Sequence, residues 1–173
     1  MKIYLICGKA RSGKNTVGEI IKEELEKENI SVCEIGLTRT IKGYIKDYFG
    51  WDGDENTKPR KLLQDMGNSI REKDSLFHIN RLCEDINVLS NWFDVFIVDD
   101  VRFPNEIEEI KNRFSDVISI GIEKENYVSP LSSDTKDDIT EHALDNYSNY
   151  DFKIVNSDLS KLKSDVINIL GGK

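Results

Sequence analysis

A chain of 173 residues, 38% hydrophobic and 32% charged, is long enough to bury the core of one globular domain. Its net charge of −8 argues against a duplex nucleic-acid binder, and no apolar run approaches the roughly eighteen residues of a membrane span. Cys7, Cys33 and Cys83 lie far apart without C-x-x-C spacing, and the N-terminus enters a strand without a secretory signal, which together point to a reduced, cytoplasmic protein.

The first predicted element is the apolar strand Ile3 to Cys7, followed by Gly8-Lys9-Ala10-Arg11-Ser12-Gly13-Lys14-Asn15-Thr16. A buried strand feeding a glycine-bounded loop, with a lysine at its end and a helix beyond, is a polyphosphate cradle. Its glycines let backbone N–H groups turn inward, and the helix points its positive end at the anion. The G-x-x-x-x-G-K spacing is complete, with the hydroxyl one place late at Thr16, a variant that resembles the loop of small nucleotide and metabolite kinases more than that of GTPases or ATPase motors. Gly8, Arg11, Ser12, Gly13, Lys14, Asn15 and Thr16 are therefore the candidate residues for ATP phosphates, with Lys14 adding full charge near the β- and γ-phosphates.

Residues 15–28 carry Val17, Ile20, Ile21 and Leu25 at helical spacing. Ile30 to Leu37 reads as a second strand, and Thr38 or Thr40 caps a helix running to about Tyr48 that ends in the loop Gly50 to Asp54. Pro59 opens a helix to roughly Arg71, and another spans about Leu76 to Ser90. Asp94 to Asp100 is a buried central strand ending in two carboxylates, after which Pro104 opens the helix of Ile107 and Ile110. Val117 to Ile122 is the next strand, Glu123 to Asn149 a polar irregular stretch, Phe152 to Val155 a last short strand, and Asp158 caps a closing helix to Leu170. Alternating strands and helices predict an α/β, three-layer fold: a parallel sheet of about five strands, helices on both faces, and ligands at the strands' carboxyl ends.

An apolar strand ending in Asp99-Asp100 brings a carboxylate near the phosphate loop, where it can hold Mg²⁺ through water or orient an attacking oxygen. Asp100 is the stronger candidate, because Arg102 follows within reach of an anionic ligand. Thr16 and Asp100 are thus the expected metal-side residues, and Lys14, Asp100 and Arg102 the expected catalytic group.

Asp100-Val101-Arg102-Phe103-Pro104-Asn105-Glu106 resembles the D-V-R-F-x-N-E signature of phage and bacterial deoxynucleoside monophosphate kinases. Phe49 to Gly53, then Arg60-Lys61-Leu62-Leu63-Gln64-Asp65-Met66-Gly67 and Arg71, are similar to that family's W-D-G segment and arginine-glutamine helix. Ile41-Lys42 resembles its L-K pair, and Asp138 to Asp145 its D-H-x-S-E-x-A-L-D segment after a lid. The resemblance covers Met1 to about Asn156. It implies one P-loop NTPase kinase domain over 1–173, with a monophosphate-binding helical segment at about 38–90 and a small lid at about 123–149. It implies transfer of the γ-phosphoryl of ATP to a (deoxy)nucleoside monophosphate, with Mg²⁺, and small-molecule nucleotides as partners. Oligomeric state, homodimer included, stays open.

Arginine suits phosphate because its planar fork binds two oxygens at once. Arg60 and Arg71, eleven residues apart, project from one side of a helix, and Gln64 shares that face within reach of a base or sugar. Arg71 and Arg102, with Lys42, Arg60 and Gln64, are the candidate acceptor-binding residues. His78 and His142 read as structural or surface residues, and Trp92 and Phe93 as packing residues. One departure is notable: relatives carry an arginine just after the fourth strand, whereas here no arginine follows Arg113 and Ile139 stands for the lid histidine. Lys124 or Lys136 substitutes, or Arg102 and Arg11 suffice, or turnover is poor. The alternatives are a nucleotide sensor with little kinase activity, or a kinase of the dephospho-coenzyme A or phosphomevalonate type. The W-D-G and arginine-glutamine segments weigh against the latter.

Overall fold

The computed structural model describes residues 1–133 and 135–171; Asp134, inside the expected lid, and residues 172–173 of the expected domain lie outside the described residues. Five parallel strands form one sheet in the order β2-β3-β1-β4-β5: β1 (Lys2–Cys7), β2 (Val32–Glu34), β3 (Val95–Val101), β4 (Val117–Lys124) and β5 (Phe152–Asn156). Parallel neighbours require crossovers, and among the described residues six helices lie in them: α1 (Lys14–Lys27), α2 (Arg39–Phe49), α3 (Arg60–Lys73), α4 (Phe77–Leu89), α5 (Pro104–Arg113) and α6 (Ile139–His142), while α7 (Leu159–Gly171) follows the last strand.

Strand alternation sorts the core into two layers. Ile3, Leu5 and Cys7 of β1 pack with Phe96 and Val98 against Ile79, Leu82 and Ile86 of α4 and Ile107 and Ile110 of α5. Tyr4 and Ile6 face the other way, against Val17, Ile20 and Ile21 of α1 and Leu162 and Val166 of α7. Burying both faces explains why β1 and β3 read as near-continuous apolar runs.

Three local departures from the expected elements bear on the site. β2 is only three residues long, because the chain leaves the sheet after Glu34 and turns into α2. Thr38 stands at the N-cap of α2 as expected, but its hydroxyl does not cap the helix. Instead Leu37 N–H (2.7 Å), Thr38 N–H (3.1 Å) and Thr38 Oγ1 (2.6 Å) all donate to the Asp100 carboxylate. The pairing of β1 with β3 steps from Leu5↔Val98 to Cys7↔Val101, so a bulge falls on Asp99-Asp100. Such an extra residue re-aims side chains beside functional sites. At the far end Asp158 caps α7 as expected, accepting from Lys161 N–H at 2.9 Å. The stretch read as irregular holds one short helix, α6, capped by Asp138.

Candidate active site

The loop between β1 and α1 is a turned-in strand of backbone. Gly8 and Gly13 have φ of 149° and 112°, and Arg11, exposed at the apex, has φ of 56°. Neither glycine has room for a side chain: a Cβ on Gly8 would lie 2.6 Å from the Ile122 carbonyl oxygen, and one on Gly13 2.4 Å from Asn156 Nδ2. Asn156 Nδ2 itself donates to the Ser12 carbonyl at 2.8 Å, so β5 props the loop from behind. Ser12 is buried and its Oγ has no partner among the described residues. Lys14 is only 7% exposed and folds back to donate to the Lys9 carbonyl at 2.7 Å. Burial, and then the nearby Arg102 charge, lower its pKa to about 7. Asn15 is exposed, and Thr16 sits half-buried in the first turn of α1.

The bulge gives the two carboxylates different work. Asp100, expected to face the metal, spends its oxygens on the start of α2 and on Lys42 at 3.6 Å. Burial opposes its charge, but Lys42 and those donors outweigh burial and hold its carboxyl below the usual range. Asp99 has no partner among the described residues beyond its own backbone N–H; burial, then the Asp100 charge, push its carboxyl up. It lies within the electrostatic reach of Lys42 and Lys14. Asp99 is thus the carboxylate left to meet a cation or a proton. Among the described residues no three His, Cys, Asp or Glu side chains form a metal cage.

Five cations, Lys42, Lys58, Arg60, Arg71 and Arg102, converge with Gln64 on a hollow of about 130 Å³ at the ends of β2 and β3. Lys42, Arg60, Gln64, Arg71 and Arg102 were the acceptor-side expectations, and the structure brings all of them to this one hollow. Lys58, not among the sequence candidates, lines it too. Each cation has an acid beside it: Lys58 and Arg60 hold Glu55 at 2.9 and 2.6 Å, and Arg71 holds Glu106 at 3.1 Å. Glu106 is 2% exposed, and its other oxygen accepts from the Arg102 and Phe103 N–H groups at 2.8 and 3.1 Å. Burial raises its pKa against the pull of Arg71. With Phe103 packed 4.5 Å from its guanidinium carbon, Arg71 is clamped on two sides. His78 is buried behind this wall, where burial and then Arg71 lower its pKa to about 4, so it is a neutral packing group.

The segment between β4 and β5 reaches across both regions. Gln64 Nε2 donates to the Thr135 carbonyl at 3.0 Å, and Asn68 Nδ2 to Asp138 at 2.9 Å, joining the segment to α3. Gln64 Oε1 is left buried and unpartnered among the described residues. At the loop, Tyr127 Oη donates to the Ala10 carbonyl at 3.0 Å, and Ala10 N–H donates to Glu141 at 3.0 Å. A second hollow, of about 390 Å³, opens beside the loop with Lys124, Tyr127, Tyr147 and Tyr150 in its wall. Lys124, one proposed stand-in for the missing lid arginine, is therefore at the loop; Lys136 lines neither hollow. His142 makes surface contacts with Asp145 and the Lys136 carbonyl, and the Asp145 bond raises its pKa. Trp92, expected to pack, is 67% exposed. Sequence reasoning missed the three tyrosines, Lys58, Glu106 and Glu141. Only the acids carried a signal, since both lie inside the recognised segments.

The sequence model of the phosphomevalonate kinase family matches residues 6–116, from the phosphate loop through α5. No curated protein matches the sequence. Among solved structures, Mycobacterium tuberculosis APS kinase in complex with AMPPNP and APS is similar, with a TM-score of 0.61 and 11% identity over 98% of this chain and 95% of that chain. The Cys556Ala mutant of the same enzyme gives 0.57 and 13%, over 98% and 96%. Shikimate kinase from Bacteroides thetaiotaomicron gives 0.51 and 15%, over 100% and 99%. At such identities the likeness is one of fold, a P-loop kinase fold. From sequence a phosphomevalonate-type kinase stands as the alternative to the deoxynucleoside monophosphate kinases, and the match supports that alternative. With the matched region spanning well over half of its residues, the chain belongs to the phosphomevalonate kinase family.

Proposed function

We propose that this protein moves the γ-phosphoryl group of ATP onto the phosphate of a small phosphomonoester, and that the acceptor is a (deoxy)nucleoside monophosphate. One observation carries the reading: five cations line a single hollow next to the phosphate loop, and Gln64, whose amide oxygen is buried and unpartnered among the described residues, stands in the same wall. A phosphate dianion answers the cations, and Gln64 is the neutral polar side chain in the same wall for a base or sugar.

In this reading the Gly8–Gly13 backbone and Lys14 hold the ATP phosphates, and Arg11 covers them from the apex. Arg71 and Arg102 grip the acceptor phosphate, with Lys42, Lys58 and Arg60 supplying field. Asp99, uncommitted and close to Lys14, fits a Mg²⁺ ion together with Thr16, since this ion needs only one or two protein oxygens beside phosphates and water. When bound, the ion would neutralise charge on the phosphates. The β4–β5 segment acts as the lid, its contacts to α3 and to the loop closing the cleft against water.

The family match favours a second reading, in which the acceptor is phosphomevalonate, a phosphomonoester with a carboxylate at its other end. A coupled ADP-release assay with Mg·ATP separates the two: dTMP, dGMP, dCMP, dAMP, the ribonucleotides, phosphomevalonate and dephospho-coenzyme A are the acceptors. Turnover of a monophosphate nucleotide is expected. Turnover of phosphomevalonate alone replaces the first reading with the second. Nucleotide binding without ADP release from any acceptor defeats both.

A further inference from the structure

Glu141 is a carboxylate in an unexpected place. It is only 9% exposed, on the four-residue helix α6, and it lines both hollows at once. One oxygen accepts from the Ala10 N–H at the tip of the phosphate loop (3.0 Å), and the other from Arg102 Nη1 (3.0 Å). Burying a carboxylate is costly unless charge and hydrogen bonds meet it, and here both of its oxygens are met by groups of the candidate active site.

The contacts continue beyond it. Asp138, three residues earlier, caps α6 through Thr140 N–H at 2.9 Å and holds Asn68 of α3 with its other oxygen. A continuous chain therefore runs from the acceptor-side helix α3 through Asp138 and α6 to Glu141, and from there to Arg102 and Ala10. Arg102 carries five N–H donors, of which Glu141 takes one, leaving the rest of the fork in a fixed plane for a phosphate. An unanchored arginine would lose rotamer entropy each time it met its ligand. No arginine follows Arg113 in this chain, so the β4–β5 segment brings no guanidinium of its own and acts on the site through Arg102.

We propose that Glu141 is a positioning residue for phosphoryl transfer, tying Arg102 and the tip of the phosphate loop into one bracket when the β4–β5 segment lies against α3. The proposal rests on the kinase reading above. It accounts for the carboxylate without giving it a proton to move.

Glu141→Gln keeps size and shape and removes the charge-assisted pair. With the acceptor found by the screen, kcat should fall roughly 10- to 100-fold, while the KM for ATP changes less than about threefold. In a double-mutant cycle with Arg102→Lys, the double variant should be no slower than Arg102→Lys alone. Additive losses, or a wild-type kcat in Glu141→Gln, overturn the proposal. Hydrogen exchange in the ligand-free protein needs no acceptor. The Ala10 amide should exchange roughly tenfold faster in both Glu141→Gln and Arg102→Lys, with the β1 amides unchanged. Unchanged Ala10 exchange, or equal loosening of β1, overturns the bracket whatever the assay gives. A wild-type protein that turns over no acceptor defeats the kinase reading while the exchange result still decides the bracket. Should Glu141→Gln fail to fold, Arg102→Lys carries the exchange test alone.

Discussion

The phosphate loop and the cationic hollow beside it offer an anion different kinds of donor. The loop is one short stretch of chain: Gly8 to Lys14 turn through three positive-φ residues, and the donors they offer are backbone N–H groups and one buried lysine that rests on a carbonyl. The hollow is assembled from residues far apart in sequence, and every cation in it already faces an acid: Asp100, Glu55, Glu106 or Glu141. A site built on backbone amides is pre-set and indifferent to which phosphate it receives. A site built on paired guanidinium groups is tuned by the acids that aim them, and under the proposed function that is where acceptor choice is made.

The sharpest way to break this comparison is Lys14→Ala. Loss of the buried cation should lower turnover by roughly 10³-fold, as loss of a preorganised charge at the reacting centre does, with the circular dichroism spectrum unchanged. Normal turnover would remove the loop from the mechanism. The two adjacent aspartates come next. Asp99→Asn should cost roughly 10²-fold in kcat with little change in melting temperature. Asp100→Asn should instead destabilise the fold by about 1–3 kcal/mol in denaturant titration, because it strips charge from a carboxylate that three donors of the α2 start depend on. The reverse pattern would return the metal-side role to Asp100.

On the acceptor side, Arg71→Ala should raise the acceptor KM about 10- to 100-fold and leave that of ATP nearly unchanged. Glu106→Gln should move the same constant less, about tenfold, by unclamping Arg71. Equal effects on both substrates would show that the two regions are not separate. The smallest effect concerns pH. Lys14 has its pKa lowered to about 7 in the ligand-free protein, and ATP favours its charged form. Nucleotide affinity should therefore weaken as pH rises, about fivefold between pH 7 and 8, with proton uptake on binding. Calorimetry in two buffers of different ionisation enthalpy measures that uptake; none at pH 8 would mean the lysine stays charged.

Local sequence carried the loop, because its glycines and lysine lie within one short run directly after an apolar strand. It also carried the order of strands and helices and the parallel sheet, since burial of β1 and β3 on two faces leaves an unbroken apolar signature. Element ends were less legible where a distant residue decides them. β2 stops early because its following turn is capped by Asp100, sixty-three residues away from Leu37. Most cations of the hollow were legible as a set because they sit in recognisable segments, yet Lys58 looked like any surface lysine until the fold turned it inward.

What the sequence by itself determined is the chemistry available: a phosphate cradle, a pair of carboxylates, and arginines enough for an acceptor phosphate. Only the tertiary structure decided how that chemistry is shared out. Which aspartate is spent and which is left, and which glutamate aims Arg71 and which joins Arg102 to Ala10, depend on a bulge and on contacts between strands, helices and the β4–β5 segment. The physical reason is that a buried charge takes its role from its partners, and those partners come from across the fold.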